Sequence, residues 1–305
     1  MDQITLINEF RTDLKLQGLS ADTLEKYPMY VRALYNFNNK DLIGVDEKVL
    51  SAYLEYLRSK KLKYVSISKY FTGINSFFKY LVWKKYITVN PVLPVRDHYL
   101  RQYKSHDTKH RRQCLTIEQA ARLVNSIYNT RDKAIIIFML KTGVRIKELA
   151  ELDAKDIDVA SKTIRLKPTA KRSNEVIYFD DETAFVLGKW MKRRELINKK
   201  GSPALFLDQY GGRLKKESVY KLFIRYAIAA GLHNPTSSRL QERLSPHCTR
   251  HFFTNRLIEA GCPREYVKEL RGDAGKDAID IYIHIDRNKL RRAYEDCIPQ
   301  FGILG

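Results

Sequence analysis

The stretch that decides the fold is 245–286, SPHCTRHFFTNRLIEAGCPREYVKELRGDAGKDAIDIYIHID. It opens with Ser-Pro, a pair typical of a helix start, and His247 and Arg250 follow at a spacing of three. Since side chains three or four positions apart are neighbours on a helix, both can reach one ligand. A guanidinium presents a planar fork to two phosphate oxygens, and an imidazole can move a proton near neutral pH. With a second arginine and a tyrosine such as Tyr282, these groups predict a site that acts on a phosphodiester.

The net charge indicates the class of partner. The chain of 305 residues has 55 lysines and arginines against 35 aspartates and glutamates, a formal net charge of +20. So large a surplus resists compaction and is usually neutralised by a polyanion. We therefore expect nucleic acid as the partner. An anionic membrane surface and charge kept for solubility are the alternatives, but no basic helix with a wholly apolar face favours the membrane.

The apolar pattern argues against a membrane or secreted protein. No apolar run approaches the roughly 18 residues of a membrane span. The longest, AIIIFML at 134–140, is typical of a buried helix. The N-terminal MDQITLINEF lacks the basic and then apolar layout of a secretion signal. The expectation is a cytoplasmic, nucleoid-associated protein of about two domains, with no membrane contact.

Metal and cofactor chemistry has no signature in the sequence. Cys114, Cys248, Cys262 and Cys297 show no CxxC and no metal-ligand spacing, which favours reduced structural thiols. The carboxylates form no DxD or ExxH group, and neither a GxGxxG nor a P-loop is present. The predicted chemistry therefore needs no metal and no cofactor.

Residues 1–95 are predicted to form an all-helical DNA-binding domain. Four segments carry apolar residues at helical spacing, and Ser20 is the predicted cap of the second helix. Basic residues interleaved with tyrosines cluster around the start of the fourth helix, and such a surface suits phosphate contacts, although a solvated helix face is the alternative. The residues expected to bind DNA here are Lys60, Lys61, Lys63 and Lys69. Residues 96–113, RDHYLRQYKSHDTKHRRQ, are predicted to be a basic linker that brings Arg111 and Arg112 to DNA.

The rest of the chain, 114–305, is predicted to be mostly α-helical with one small antiparallel sheet. A fully apolar and therefore buried helix is expected to end at Gly143. The segments 163–167 and 175–179 have strand-like composition and are separated by PTAKRSN. They predict a hairpin that carries Lys171 at its tip.

Arginine, histidine and tyrosine motifs follow one another in a recognisable order. They are TGVRIKELAEL (142–152) with Arg145, SPHCTRHFFTNRL (245–257) with His247 and Arg250, and IYIHID (281–286) with Tyr282. In this order and spacing the sequence resembles the tyrosine recombinase, or phage integrase, family. The N-terminal helices, ending in FFKYLVWKKYITVNP (77–91), are similar to the family's core-binding domain. The resemblance covers nearly the whole chain and implies a helical core-binding domain followed by a mixed α/β catalytic domain.

The resemblance implies a role for each residue of the constellation. Arg145 and Arg250 would stabilise charge on the non-bridging phosphate oxygens, a task that suits bidentate cations. Tyr282 would be the nucleophile, and because a tyrosine ordinarily has a pKa of about 10 it needs neighbouring cations or a base. Lys171 or His247 would donate a proton to the departing 5′-oxygen.

Arg145 could have a purely structural role, and other residues could take the place of the catalytic lysine. Arg145 could merely pair with Glu148 or Glu151 on the helix that it begins. The catalytic lysine is less fixed than the other groups because the register of the hairpin does not follow from sequence. Lys167 and Arg172 are therefore close neighbours that compete with Lys171 for the position.

One position departs from the family's pattern. Family members usually place Gly-His or Gly-Trp before the tyrosine, whereas here the pair is Gly-Asp, with Asp273 nine residues before Tyr282. An ionised carboxylate only accepts hydrogen bonds and repels a phosphate. Either Asp273 orients Arg250 or Tyr282, or it is protonated in the site, or the site is impaired. The first interpretation is favoured because Arg271 and Lys276 supply positive charge nearby.

The resemblance also implies a function and an assembly. We expect a site-specific recombinase that cuts and rejoins double-stranded DNA through a 3′-phosphotyrosyl intermediate, working as a tetramer on two DNA sites. Its expected role is integration and excision of a mobile element. The alternatives are a replicon-dimer resolvase of the same family, a type IB topoisomerase-like enzyme, and a DNA-binding protein whose catalytic site has lapsed. The apolar C-terminal tail, IPQFGILG, is expected to dock either in cis or on a neighbouring protomer.

Overall fold

The chain folds into two compact units, each with its own hydrophobic core. A computed structural model describes residues 2–39, 41–100, 114–168, 175–237, 239–273 and 285–304. The units are Met1–His106 and Asp107–Gly305, called here the N-terminal and C-terminal units. In the part of the chain that the structure describes, no helix combines the length and apolarity needed to cross a membrane.

The N-terminal unit is built from helices. These are α1 (Gln3–Leu16), α2 (Ala21–Asn38), α3 (Glu47–Ser59), α4 (Tyr64–Trp83) and α5 (Val92–Tyr99). Ser20 caps α2 by accepting from the backbone N–H of Thr23, as its position in the sequence predicted. The core is rich in aromatic rings, and Phe10 meets Phe77 edge-on with 5.2 Å between ring centroids.

The linker begins later than the sequence predicted, because helix α5 extends beyond residue 96. The sequence predicts a basic linker over 96–113, yet the helix continues through Tyr99. Val92, Val95 and Leu100 are buried in the core of the N-terminal unit. The segment is short and holds Pro94, so its periodic signal was weak, but tertiary packing suffices to order the helix. The remainder of the predicted linker, with Arg111 and Arg112, lies outside the described residues.

The C-terminal unit combines helices with a small sheet. Its helices are α6 (Ile117–Asn125), α7 (Thr130–Thr142), α8 (Ile146–Glu151), α9 (Asp181–Ile197), α10 (Lys216–Ala229), α11 (Pro246–Glu259), α12 (Arg264–Arg271) and α13 (Arg287–Cys297). Its strands are β1 (Ile157–Asp158), β2 (Thr163–Arg165) and β3 (Val176–Tyr178). All neighbouring strands are antiparallel, in the order β1-β2-β3. The predicted fold class is confirmed, and β1 is an addition to the predicted hairpin.

Helix α7 is the centre of the C-terminal unit and packs against α6, α9, α10 and α11. Its residues 134–140 are fully buried, as the unbroken apolar run predicted. The helix ends at Gly143, which adopts a left-handed conformation with φ of 61°. A Cβ atom at this glycine would lie 2.5 Å from Cδ1 of Phe253 on α11, so the turn and α11 are in close contact.

The C-terminal tail docks on its own unit. Phe301 is buried in the core, and the backbone N–H groups of Phe301 and Ile303 each donate to the Glu182 carboxylate at 2.8 Å. The ammonium of Lys141 donates to the carbonyl of Pro299. In this structure of a single chain the tail is packed in cis.

Candidate active site

Arg250 joins three elements of the C-terminal unit. It lies on α11 and is buried, with Nη1 donating to the carbonyl of Gly143 at 2.7 Å and Nη2 to the carbonyl of Arg271 at 2.8 Å. The end of α7 and the end of α12 therefore fix the orientation of its guanidinium. The pKa of Arg250 is lowered to about 10, chiefly by burial and next by the charge of Arg145, while Asp273 opposes the shift. Arg250 therefore remains a cation at neutral pH.

Arg145 immediately precedes α8 and is held by Glu148. The backbone N–H of Arg145 donates to Oε2 of Glu148 at 2.7 Å, and its Nη1 donates to Oε1 at 2.9 Å. Glu148 is buried, whereas the side chain of Arg145 is about one-third exposed. The ion pair between Arg145 and Glu148, which the sequence offered as an alternative to a catalytic role, is thus present. It also fixes the guanidinium while leaving one face open to a ligand.

Asp273 connects the two arginines. Its Oδ1 accepts from Nη2 of Arg250 at 2.5 Å and from Nη2 of Arg145 at 3.1 Å. Its Oδ2 lies 3.1 Å from Nη2 of Arg271. These contacts favour the interpretation in which Asp273 orients the arginines, and they extend it from Arg250 to Arg145.

His247 borders a cleft beside the arginine cluster. It is exposed in the first turn of α11, and its ring meets that of His251 edge-on at 4.7 Å. The cleft has a volume of about 550 Å³, and its lining includes Ile146, the residue after Arg145. His247 and the start of α8 therefore face one space that is open to a ligand.

Two predicted catalytic residues, Lys171 and Tyr282, lie outside the described residues, and their assignments stay predictions. Lys167, which competes with Lys171 in the sequence, forms an ion pair with Asp153 at 3.1 Å. Arg213 donates to the same carboxylate. Lys167 thus has an anchoring partner just beyond the end of β2.

The structure adds groups to the site that sequence reasoning did not assign to it. The carbonyl of Gly143 and the carbonyl of Arg271 both hold Arg250, and no residue pattern announces a backbone acceptor. Glu148 had a detectable signal, since an acidic residue at the third helical position commonly reaches back to the residue before the helix. The assembled cluster is a pair of oriented guanidiniums beside an exposed imidazole, a set of groups able to hold and protonate an oxyanion.

Comparison with known proteins identifies the family. The model described as "Phage integrase family" matches residues 113–289, and "Phage integrase, N-terminal SAM-like domain" matches residues 6–88. The chain therefore belongs to the phage integrase family of tyrosine-type site-specific recombinases, and the resemblance noted in its motifs is confirmed. It is an enzyme of DNA strand breakage and rejoining.

Relatives match along most of their length. The chain is 28% identical over 288 residues to "Tyrosine recombinase XerC" of Herpetosiphon aurantiacus, covering 90% of this chain and 88% of that protein. It is 28% identical over 262 residues to "Tyrosine recombinase XerD" of Chlorobaculum tepidum, covering 81% of this chain and 80% of that protein.

Solved structures share the fold at lower identity. A lambda integrase tetramer bound to a Holliday junction matches with a TM-score of 0.69 at 16% identity, covering 92% of this chain and 76% of that one. The Tn1549 transposon integrase in complex with transposon right end DNA matches with a TM-score of 0.66 at 18% identity, covering 94% and 97%. At these identities the likeness is evidence of fold alone.

Proposed function

We propose that this recombinase cuts and rejoins DNA through a 3′-phosphotyrosyl intermediate, with Arg145 and Arg250 binding the scissile phosphate. The observation that carries the proposal is that both arginines donate to one oxygen atom, Oδ1 of Asp273, at 3.1 and 2.5 Å. Two guanidiniums that converge on one anionic oxygen can equally converge on a non-bridging phosphate oxygen. Their backbone and Glu148 contacts preorganise them for that task.

Tyr282 is the proposed nucleophile. Its phenolate oxygen attacks phosphorus, the bond from phosphorus to the 5′-oxygen breaks, and the departing oxygen takes a proton from Lys171 or His247. The product is a 3′-phosphotyrosine and a free 5′-hydroxyl. A 5′-hydroxyl of the recombining strand then attacks the same phosphorus, returns a proton to the acid and releases the tyrosine. Because the number of phosphodiester bonds is conserved, the exchange needs no external energy source.

The N-terminal unit is proposed to bind the DNA backbone. Its lysines around the connection from α3 to α4 are exposed, and the lysines in question are Lys60, Lys61, Lys63 and Lys69. The ammonium of Lys60 lies 5.2 Å from the ring centroid of Tyr56, so an aromatic surface adjoins the charge. Such contacts position a protein on a duplex without reading its sequence. Arg111 and Arg112, which lie outside the described residues, are proposed to bind the DNA backbone as well.

The proposed biological role is integration and excision of a mobile element, by a tetramer assembled on two DNA sites. The match to a lambda integrase tetramer on a Holliday junction supports a fold compatible with that assembly. The second candidate role is resolution of replicon dimers, favoured by relatives named XerC and XerD that match over four-fifths or more of their length. In either role we propose that the enzyme works in the cytoplasm, on the nucleoid.

A covalent-trapping experiment tests the proposed mechanism. Nicked duplexes with randomised sequence around the nick lose the short leaving strand after cleavage, so that a phosphotyrosyl adduct accumulates. We expect an adduct stable to denaturant in the wild type and in Tyr128→Phe, a matched change at a tyrosine that is 97% exposed. Tyr282→Phe is expected to give none.

The other outcomes separate the alternatives. If the wild type retards DNA but gives no adduct with any duplex, the protein is a binding protein and the mechanism is wrong. An adduct accompanied by relaxation of supercoiled plasmid, without strand exchange between two sites selected from the pool, indicates topoisomerase chemistry instead.

A further inference from the structure

Asp273 lies where an anionic oxygen of a ligand would bind. One oxygen of its carboxylate meets Nη2 of Arg250 at 2.5 Å and Nη2 of Arg145 at 3.1 Å, and the same guanidinium groups can donate to phosphate oxygens. Arg271 contacts the second oxygen at 3.1 Å, so three guanidiniums surround one carboxylate. The carboxylate therefore neutralises arginine charge that a bound phosphate would otherwise neutralise.

At Nη2 of Arg250 the carboxylate and a phosphate are mutually exclusive ligands. An Nη atom carries two N–H groups. At Nη2 one donates to the backbone carbonyl of Arg271 at 2.8 Å and the other to Asp273. The carbonyl belongs to the last residue of α12 and is fixed by the helix. A phosphate can therefore gain an Nη2 hydrogen of Arg250 only if Asp273 gives it up, and repulsion between the two anions favours that exchange of positions.

The surroundings of Asp273 permit this movement. Its side chain is 34% exposed, whereas that of Arg250 is 5% exposed, so the carboxylate and not the guanidinium has space to move. Asp273 follows the left-handed Gly272, which ends α12. Oδ2 already contacts the partly exposed Arg271, which can retain the carboxylate after Oδ1 leaves the other two arginines.

We propose that Asp273 is a built-in competitor of the scissile phosphate. In the DNA-free protein its carboxylate occupies the position between Arg145 and Arg250 and keeps both guanidiniums aligned. When a phosphodiester enters, the carboxylate yields this position and stays with Arg271. This inference rests on the proposed function of the arginine pair, and it makes the site selective for a phosphate that other DNA contacts hold in place.

Binding of inorganic phosphate tests the competition without any DNA cleavage. Thermal unfolding of the full chain is followed against orthophosphate concentration at constant ionic strength. We expect Asp273→Asn to gain a given stabilisation at a phosphate concentration about tenfold or more below the one that the wild type needs, because Arg145 and Arg250 are then free to donate charge-assisted hydrogen bonds to phosphate. Asp273→Glu keeps a carboxylate and is expected to stay near the wild-type value.

The matched control is Glu259→Gln, which removes a carboxylate paired with Arg256 on α11 and changes the net charge equally. General effects of phosphate on folded proteins act on all variants alike. If Asp273→Asn needs as much phosphate as the wild type for a given stabilisation, or if Glu259→Gln lowers that concentration equally, the proposed competition is wrong.

Single-turnover cleavage of the nicked duplex separates competition from mere support of the arginines. For Asp273→Asn we expect the half-saturating DNA concentration to fall several-fold, while the plateau rate also falls because the guanidiniums lose their aligning partner. A lower plateau rate with an unchanged or raised half-saturating DNA concentration would show that Asp273 stays bound to both arginines when DNA binds. That result would contradict the proposal. Absence of a covalent adduct in the wild type would contradict the proposed mechanism. The phosphate measurement would still show whether Asp273 competes with phosphate for the two arginines.

Discussion

At the scale of single residues, Lys141 explains why the C-terminal tail is fixed. Its ammonium is fully buried and contacts Asp180 at 2.5 Å, Glu182 at 2.7 Å and the carbonyl of Pro299. Three acceptors match the three N–H groups of an ammonium. Because Glu182 also accepts the N–H groups of Phe301 and Ile303, one carboxylate neutralises the lysine and holds the tail.

We predict that Glu182→Ala lowers the free energy of unfolding by about 3–5 kcal/mol, since it leaves part of a buried charge uncompensated. In a chain that ends at Gln300 the same substitution is expected to cost less, because the tail contacts are already gone. Denaturant unfolding of the wild type, Glu182→Ala, the shortened chain and the shortened chain with Glu182→Ala gives the coupling free energy between Glu182 and the tail. Glu195→Ala, at an exposed position of the same helix, is the control. Additive effects would show that Glu182 does not hold the tail.

Sequence predicted which residue types meet at the site better than it predicted their partners. The spacing of Arg145, His247 and Arg250 indicated phosphate chemistry because helical geometry and family order constrain those positions. The sharing of Asp273 by both arginines, and the burial of Lys141 beside α9, did not follow from sequence. Those contacts join residues up to 128 positions apart and exist only once the helices have packed.

At the scale of elements, the turn after α7 links the core to the site. Gly143 has φ of 61°, approaches Phe253 of α11 and offers its carbonyl to Arg250. A side chain here is strained twice, by the backbone conformation and by the aromatic ring. Gly201 has a φ of 64° with nothing within 4 Å of an added Cβ, so it isolates the first effect.

We predict that Gly201→Ala lowers the free energy of unfolding by about 1–2 kcal/mol. Gly143→Ala should cost about 1–3 kcal/mol more, because Phe253 must move. It should also slow formation of the covalent adduct, since the displaced carbonyl no longer orients Arg250. Denaturant unfolding and adduct kinetics measure the two effects. Equal stability losses in the two variants, with unchanged rates of adduct formation, would show that the turn at Gly143 does not orient Arg250.

Elements were predictable where local pattern and burial agree. The apolar run of α7, the Ser20 cap of α2 and the strands β2 and β3 each carry a local signal. Helix α5 and strand β1 do not. The first is eight residues long, too short for a clear helical period. The second is two residues long and is defined by its pairing of Ile157 with Ile164. Short elements of this kind depend on the surface that they cover.

At the scale of the whole molecule, the surplus of positive charge makes DNA affinity dependent on salt. With a net charge of +20, any lysine contributes a weak general attraction to a duplex. Lysines that contact phosphates contribute more, because each contact releases condensed counterions. The two contributions differ in how affinity changes with salt concentration.

We predict that changing Lys60, Lys61 and Lys63 to glutamine weakens DNA binding and lowers the slope of log affinity against log salt by up to about 3, roughly 0.9 per lost phosphate contact. The control changes Lys15, Lys26 and Lys48, exposed lysines of the same unit, and removes the same charge. Its slope is expected to stay near the wild-type value, because loss of distant charge reduces attraction without removing counterion-releasing contacts. Fluorescence anisotropy of a labelled duplex at several salt concentrations measures both. Equal slopes in the two triple variants would place the phosphate contacts elsewhere on the protein.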